Sequence, residues 1–311
     1  MSTQSSAIVD RSEVVSPARS GLAWGLLGVV AFSFTVPLTR IAVADGGISP
    51  LLVGSGRAVI AGLLALLVLR AFRQSLPTGR QWLRLAVVAG GVVVGFPFLT
   101  SYALTTASAG HSAVVIAILP AATAVMAVLR GHERPPTSFW VAAGCGAAAA
   151  VGFAALQGGA VELHGSDLLL LAAVVVCAIG YAEGGLISRE LGSWQTISWA
   201  LVLSLPAMLV VVAVVAIDRQ PPTASPAQWG AFAYLAVISM FLGFFAWYRG
   251  LAIGPMARVS QVQLAQPVLT ICWAALLLAE PLTWPIVLGG CAVIACALIA
   301  VRTRGRKPDR G

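Results

Sequence analysis

The strongest constraint in this 311-residue sequence is that it repeats itself at an offset of about 147 residues. Leu104 falls on Leu251, Pro120 on Pro267 and Glu133 on Glu280, each glutamate closing a long apolar stretch. A period this long is not the unit of a solenoid; it is half of a protein. Each half carries five candidate apolar spans, so the second half enters a membrane from the side opposite to the first.

A membrane is required because 59% of the residues are hydrophobic, only 10% are charged and the mean hydropathy is +0.93. Such a chain has too little polar surface to coat a soluble globule. Runs of roughly 20 apolar residues, enough to cross a hydrocarbon core of about 30 Å, are predicted at 21–43, 49–71, 83–103, 106–129, 138–156, 167–188, 195–217, 227–248, 254–279 and 284–302. They are continuous rather than alternating, which excludes an outer-membrane barrel. A net charge of +8 would suggest nucleic acid in a soluble protein, but its placement reads as topology. Sixteen of the nineteen lysines and arginines fall in the two tails and the even-numbered loops; Arg40 and Arg219 alone fall on the other side. The positive-inside rule then puts both termini in the cytoplasm. The predicted fold is an all-α membrane protein of ten transmembrane helices in a five-plus-five inverted-topology repeat. Its parts are a cytoplasmic tail (1–20), a first repeat (21–157), a second repeat (166–302) and a basic cytoplasmic tail (303–311).

Several chemistries are excluded. A P-loop needs a GxxxxGK[ST] run, and the single lysine, Lys307, lies in the tail. The five cysteines sit inside apolar spans without CxxC spacing, so neither metal nor disulfide is expected and no cofactor is implied. The polar first 20 residues show no cleavage-site pattern, which predicts a retained first span. Pairs such as Gly91 and Gly95 predict close helix packing.

Several stretches resemble the EamA branch of the drug/metabolite transporter superfamily. AFSFTVPLTR (Ala31 to Arg40) is similar to that family's first-span pattern, with Phe32 in a tryptophan position and Arg40 in a lysine position. GRAVIAG places Arg57 on the family's membrane-embedded arginine, followed by Ala58 where phenylalanine is usual. ASAGHSAVVIAILPAATAVMAV and GPMARVSQVQLAQPVLTICWAALLLAEPLT resemble its paired signature of small residues, central proline and closing glutamate. The resemblance covers nearly the whole chain outside the tails and is greatest to the YddG-type aromatic amino-acid exporters. It implies a ten-helix inverted fold that exports small metabolites.

The candidate working residues follow from depth in the membrane. Pro120 and Pro267 lie about 14 residues into their spans, near the midplane, and each removes a backbone donor from the carbonyl four residues back, that of Ile116 or Gln263. They are either hinges lining a site or static kinks. His111 and Arg258 occupy equivalent repeat positions; a histidine at such depth can relay a proton or simply pack. Arg57, about eight residues in, either holds a substrate carboxylate or anchors helix-end carbonyls. Glu183 is the one carboxylate well inside a predicted span, a candidate for proton coupling or a rim partner of Arg189. Ser260, Gln263 and Pro267 share a helix face with Gln266 adjacent, and amides at this depth suit either a zwitterionic substrate or helix-to-helix glue. Tyr102, Tyr181, Trp199, Trp247 and Tyr248 fit interface belts or, for Tyr102 and Trp199 in particular, cavity walls.

These features predict a non-enzymatic secondary transporter of the bacterial inner (cytoplasmic) membrane, exporting a small metabolite such as an aromatic or other neutral amino acid. Its partners would be a small-molecule substrate and membrane lipids, not nucleic acid, and it would act as a monomer or weak homodimer. The competing readings are a non-transporting module for lipid handling or assembly, and an exporter of another metabolite or drug. A membrane enzyme ranks last, for want of a Ser/His/Asp grouping, an HExxH motif or paired aspartates.

Overall fold

The computed structural model describes residues 17–131, 136–141, 165–218 and 223–282, with isolated positions between 144 and 148 and between 284 and 299. Among the described residues every regular element is helical. Seven helical runs are long and apolar enough to cross a membrane. The region expected as span 4 is split into two shorter helices, Ala109–Ile116 and Leu119–Gly131. The fifth and tenth predicted spans, both tails, the loop after span 5, Arg219, Cys296 and the pair Glu133 and Arg134 fall largely or wholly outside the described residues.

The interior is apolar and tightly closed around small residues, while large apolar side chains such as Leu67, Val210 and Leu276 face outward, as a lipid solvent requires. Span 7 (Ser193–Asp218) packs on span 2 (Pro50–Ala71), span 1 on span 8, and span 6 (Gly165–Leu191) on spans 3 and 4. Glycines let backbones meet. A Cβ at Gly91 would stand 2.3 Å from the Val176 carbonyl and 3.1 Å from the Gly180 Cα of span 6, so no other residue fits that crossing.

Among the described residues five spans depart from a plain α-helix, and four of the departures, in spans 3 and 8 and in spans 4 and 9, recur near the sequence offset. Span 1 breaks at Phe34 between Pro17–Ser33 and Thr35–Val43. The cause is Pro37, which lacks the N–H that Ser33 would otherwise pair with; the Ser33 carbonyl accepts instead from Thr270 Oγ1 at 2.8 Å. Spans 3 and 8 each contain a wide π turn, Ala89–Gly95 and Leu235–Leu242. Phe96 donates its N–H five residues back to Gly91 and Gly243 does the same to Ile238, the same positions in the two halves. Span 4 breaks at Ala117–Ile118 and span 9 tightens to a 3-10 turn at Gln261–Leu264, each just before its proline. Spans 4 and 9 run antiparallel: Glu280, beyond the end of span 9, accepts from Ala109 and Gly110 at the start of span 4, while Gln261 near the start of span 9 donates to the Pro120 carbonyl.

Candidate functional site

The broken elements converge on a small cavity of about 30 Å³ between the spans. Phe32 and Thr35 of span 1, Arg57 of span 2, Val92 and Pro97 of span 3, Tyr181 of span 6, Ser239 and Phe244 of span 8 and Gln266 of span 9 border it. That volume is close to one water's share of liquid, so the walls must part before a metabolite can enter. A second crevice of about 10 Å³ is lined by Gln263, Gln266, Pro267 and Thr270; Gln266 borders both spaces. A much larger depression, about 870 Å³, lies around Arg40, Asp45 and Ser49. It shares no lining residue with the central cavity, so size alone does not mark the site.

Arg57 is 1% exposed, and its Nε has no hydrogen-bond partner among the described residues. The helix-end carbonyl contacts expected of a structural anchor are therefore not made by this atom. A buried guanidinium left this way is costly unless something else meets it. The aromatic wall is continuous: Phe244 lies 4.8 Å from Phe32 and 6.0 Å from Tyr181 between ring centroids. Thr35 and Ser239 hydroxyls bond each other at 2.8 Å.

The three amides of span 9 separate by partner. Gln261 donates to the Pro120 carbonyl at 3.3 Å and is helix-to-helix glue. Gln263 donates to Gln266 at 3.2 Å and leaves its own Oε1 unpaired. Ser260, expected beside the cavity, turns its hydroxyl back to Ala257 at 2.8 Å and toward Pro120 at 3.5 Å, since a hydroxyl at this depth satisfies itself on the preceding turn.

Other placements correct the sequence reading. Tyr102 is 43% exposed at the end of span 3, an interface position rather than a cavity wall. Trp199 is buried edge-on against Trp82 at 5.7 Å and borders neither inner space. Tyr181, Trp247 and Tyr248 are buried in the core, not in a belt. His111 is not at the cavity: its Nε2 lies 2.6 Å from Asp167 Oδ1 of span 6. Glu183, 2% exposed on its side chain, receives Arg84 of span 3 on one oxygen and Arg130 of span 4 on the other, while Arg84 also reaches Glu190. The pairing with a neighbour on its own helix is replaced by one across three spans. Sequence reasoning missed Thr35, Ser239, Phe244 and Pro97; the one local signal was Pro37, which announces the break that turns Thr35 inward.

Buried polar groups set into broken helices, inside a bundle that faces lipid, define a multi-pass membrane transporter. The chain matches the model of the EamA-like transporter family twice, over residues 19–155 and 164–302, and belongs to that family. It is 46% identical over 278 residues to the "Uncharacterized transporter YdeK" of Bacillus subtilis (strain 168), a match covering 89% of this chain and 96% of that protein. A solved crystal structure is similar in fold, with a TM-score of 0.71 at 17% identity, covering 92% of this chain and 99% of that one.

Proposed function

We propose that this EamA-family transporter is a secondary exporter of a small zwitterionic metabolite, an amino acid with a neutral or aromatic side chain. It works by alternating access of two inverted five-helix halves in the bacterial inner membrane, with both termini cytoplasmic. The observation that carries the reading is the buried Arg57 facing a cavity walled by aromatic rings and by Gln266: a carboxylate suits the guanidinium and an apolar side chain suits the rings. The antiparallel run of spans 4 and 9, equivalent elements of the two halves, supports the inversion.

Uptake of radiolabelled amino acids into reconstituted vesicles is the primary test. Gln263→Leu, which removes the amide that orients Gln266, weakens binding about 5- to 150-fold, the worth of roughly 1 to 3 kcal/mol in hydrogen bonds. Pro267→Ala restores a helix donor and slows turnover. If both variants transport like wild type, the cavity assignment is wrong. Orientation is tested separately: cysteines at Gln74 label from the cytoplasm, those at Asp45 and Glu280 from outside, and one-sided labelling of all three would refute the topology.

Of the two titrating candidates, His111 is the better placed for proton coupling, because both oxygens of Glu183 are already held by arginines. The charged groups on elements packed against the start of span 4 are Asp167, Glu280 and Arg40. His111→Ala flattens the pH dependence of transport; an unaltered pH profile in that variant removes His111 from coupling.

A further inference from the structure

We infer that the cavity wall carries a subsite for a primary ammonium group, made by the main-chain carbonyl of Val92 and the hydroxyl pair Thr35 and Ser239. The inference rests on the exporter reading above and names which group of the cargo each wall holds. Its origin is the π turn of span 3. In an α-helix the Val92 carbonyl would accept from Phe96, but that N–H is given to Gly91. In a π turn it would accept from the residue five positions on, which is Pro97 and has no N–H. The Val92 carbonyl thus has no helical donor in either register. It points along the helix toward Pro97, and Val92 and Pro97 both border the cavity. A buried acceptor orphaned in this way is costly unless a ligand or a water meets it.

Span 8 supplies the internal comparison. Its π turn places Ser239 and Phe244 where span 3 has Val92 and Pro97, and both of these also border the cavity. Phe244 retains the N–H that Pro97 lacks, so the main chain of span 8 needs no guest and contributes a side-chain hydroxyl instead. The Ser239 and Thr35 hydroxyls share one hydrogen between them at 2.8 Å, which leaves oxygen lone pairs to accept from a cation. With Arg57 on the same cavity, the wall is positive at one place and oxygen-rich at another. That polarity matches a zwitterion and opposes a plain acid or a plain amine.

The test uses the full-length protein in nanodiscs and calorimetric binding of tryptophan, phenylalanine, leucine and threonine, each compared with its deaminated acid. The best-bound amino acid exceeds its deaminated acid by about 10- to 150-fold, the worth of hydrogen bonds to a charged group. Pro97→Ala supplies the missing donor and shrinks that ratio to within a few-fold, and Ser239→Ala, which is near-isosteric and keeps the backbone, shrinks it in the same direction. Deaminated acids binding as well as their parents would overturn the subsite while leaving the exporter reading intact. So would an unchanged ratio in both variants. Amino-acid binding that vanishes when sodium is replaced by N-methylglucamine would assign the oxygens to a metal cation and overturn the ammonium assignment. If the wild type binds neither amino acids nor their acids, the exporter reading fails and the subsite fails with it.

Discussion

Glu183→Ala lowers the stability of the folded transporter by about 1.5 to 3 kcal/mol, the worth of hydrogen bonds to a charged group. The carboxylate is 2% exposed and each oxygen is held by a guanidinium from a different span, so its loss leaves Arg84, 22% exposed, with Glu190 as its one remaining carboxylate. Arg130 is 52% exposed and recovers much of its loss through water, which keeps the figure from the top of the range. Glu190→Ala is the control: its carboxylate is 49% exposed, and removing it changes stability by less than about 1 kcal/mol. Chemical unfolding in mild detergent measures both. Equal, small effects would show that the Arg84–Glu183–Arg130 link does not hold spans 3, 4 and 6 together. Because that link joins three spans that each border the central cavity, the same variant also parts them more readily, and the native Cys177, which borders the cavity, becomes more reactive to a water-soluble reagent.

Gly91→Ala costs about 1 to 3 kcal/mol, and Gly91→Leu prevents assembly. The added Cβ would overlap the Val176 carbonyl at 2.3 Å and crowd the Gly180 Cα at 3.1 Å. Both neighbours are main chain, so relief demands that spans 3 and 6 separate, and overpacking of this kind has no cheap escape. Gly90, one residue earlier in the same π turn, has nothing within 4 Å of its would-be Cβ. Gly90→Ala is therefore neutral to slightly stabilising. Matched yields and melting temperatures for the two alanine variants would contradict the close crossing.

Hydropathy sufficed for spans 2, 6 and 7, whose observed limits differ from the expected ones by only a few residues, because a lipid solvent demands uninterrupted apolar helix and little else. Pro120 and Pro267 announced irregular turns in spans 4 and 9, since a missing N–H is a local fact. The π turns of spans 3 and 8 were not legible: the extra residue is accommodated where Gly91 meets Gly180 and Gly243 meets Phe32, contacts that exist only in three dimensions. Pro97 was visible, but its meaning depends on the register upstream. The partners of Glu183 were hidden for a similar reason. Arg189 is near in sequence, whereas Arg84 is 99 positions away and is brought in by packing of span 3 on span 6. Tyr102 and Trp199 were misplaced because an aromatic residue near a span end has the same sequence signature whether it faces lipid, a neighbouring helix or a cavity.

The break in span 1 bears on the order in which the chain is made. Its Ser33 carbonyl, left without a helical donor, is satisfied by Thr270, 237 residues later. At a synthesis rate of roughly 5 to 20 residues per second, that partner emerges some 10 to 50 s after the break itself. For that interval the nascent first half holds an open acceptor inside the membrane, met by water or a translocation partner. A chain that stops before Thr270 keeps that acceptor without its native partner.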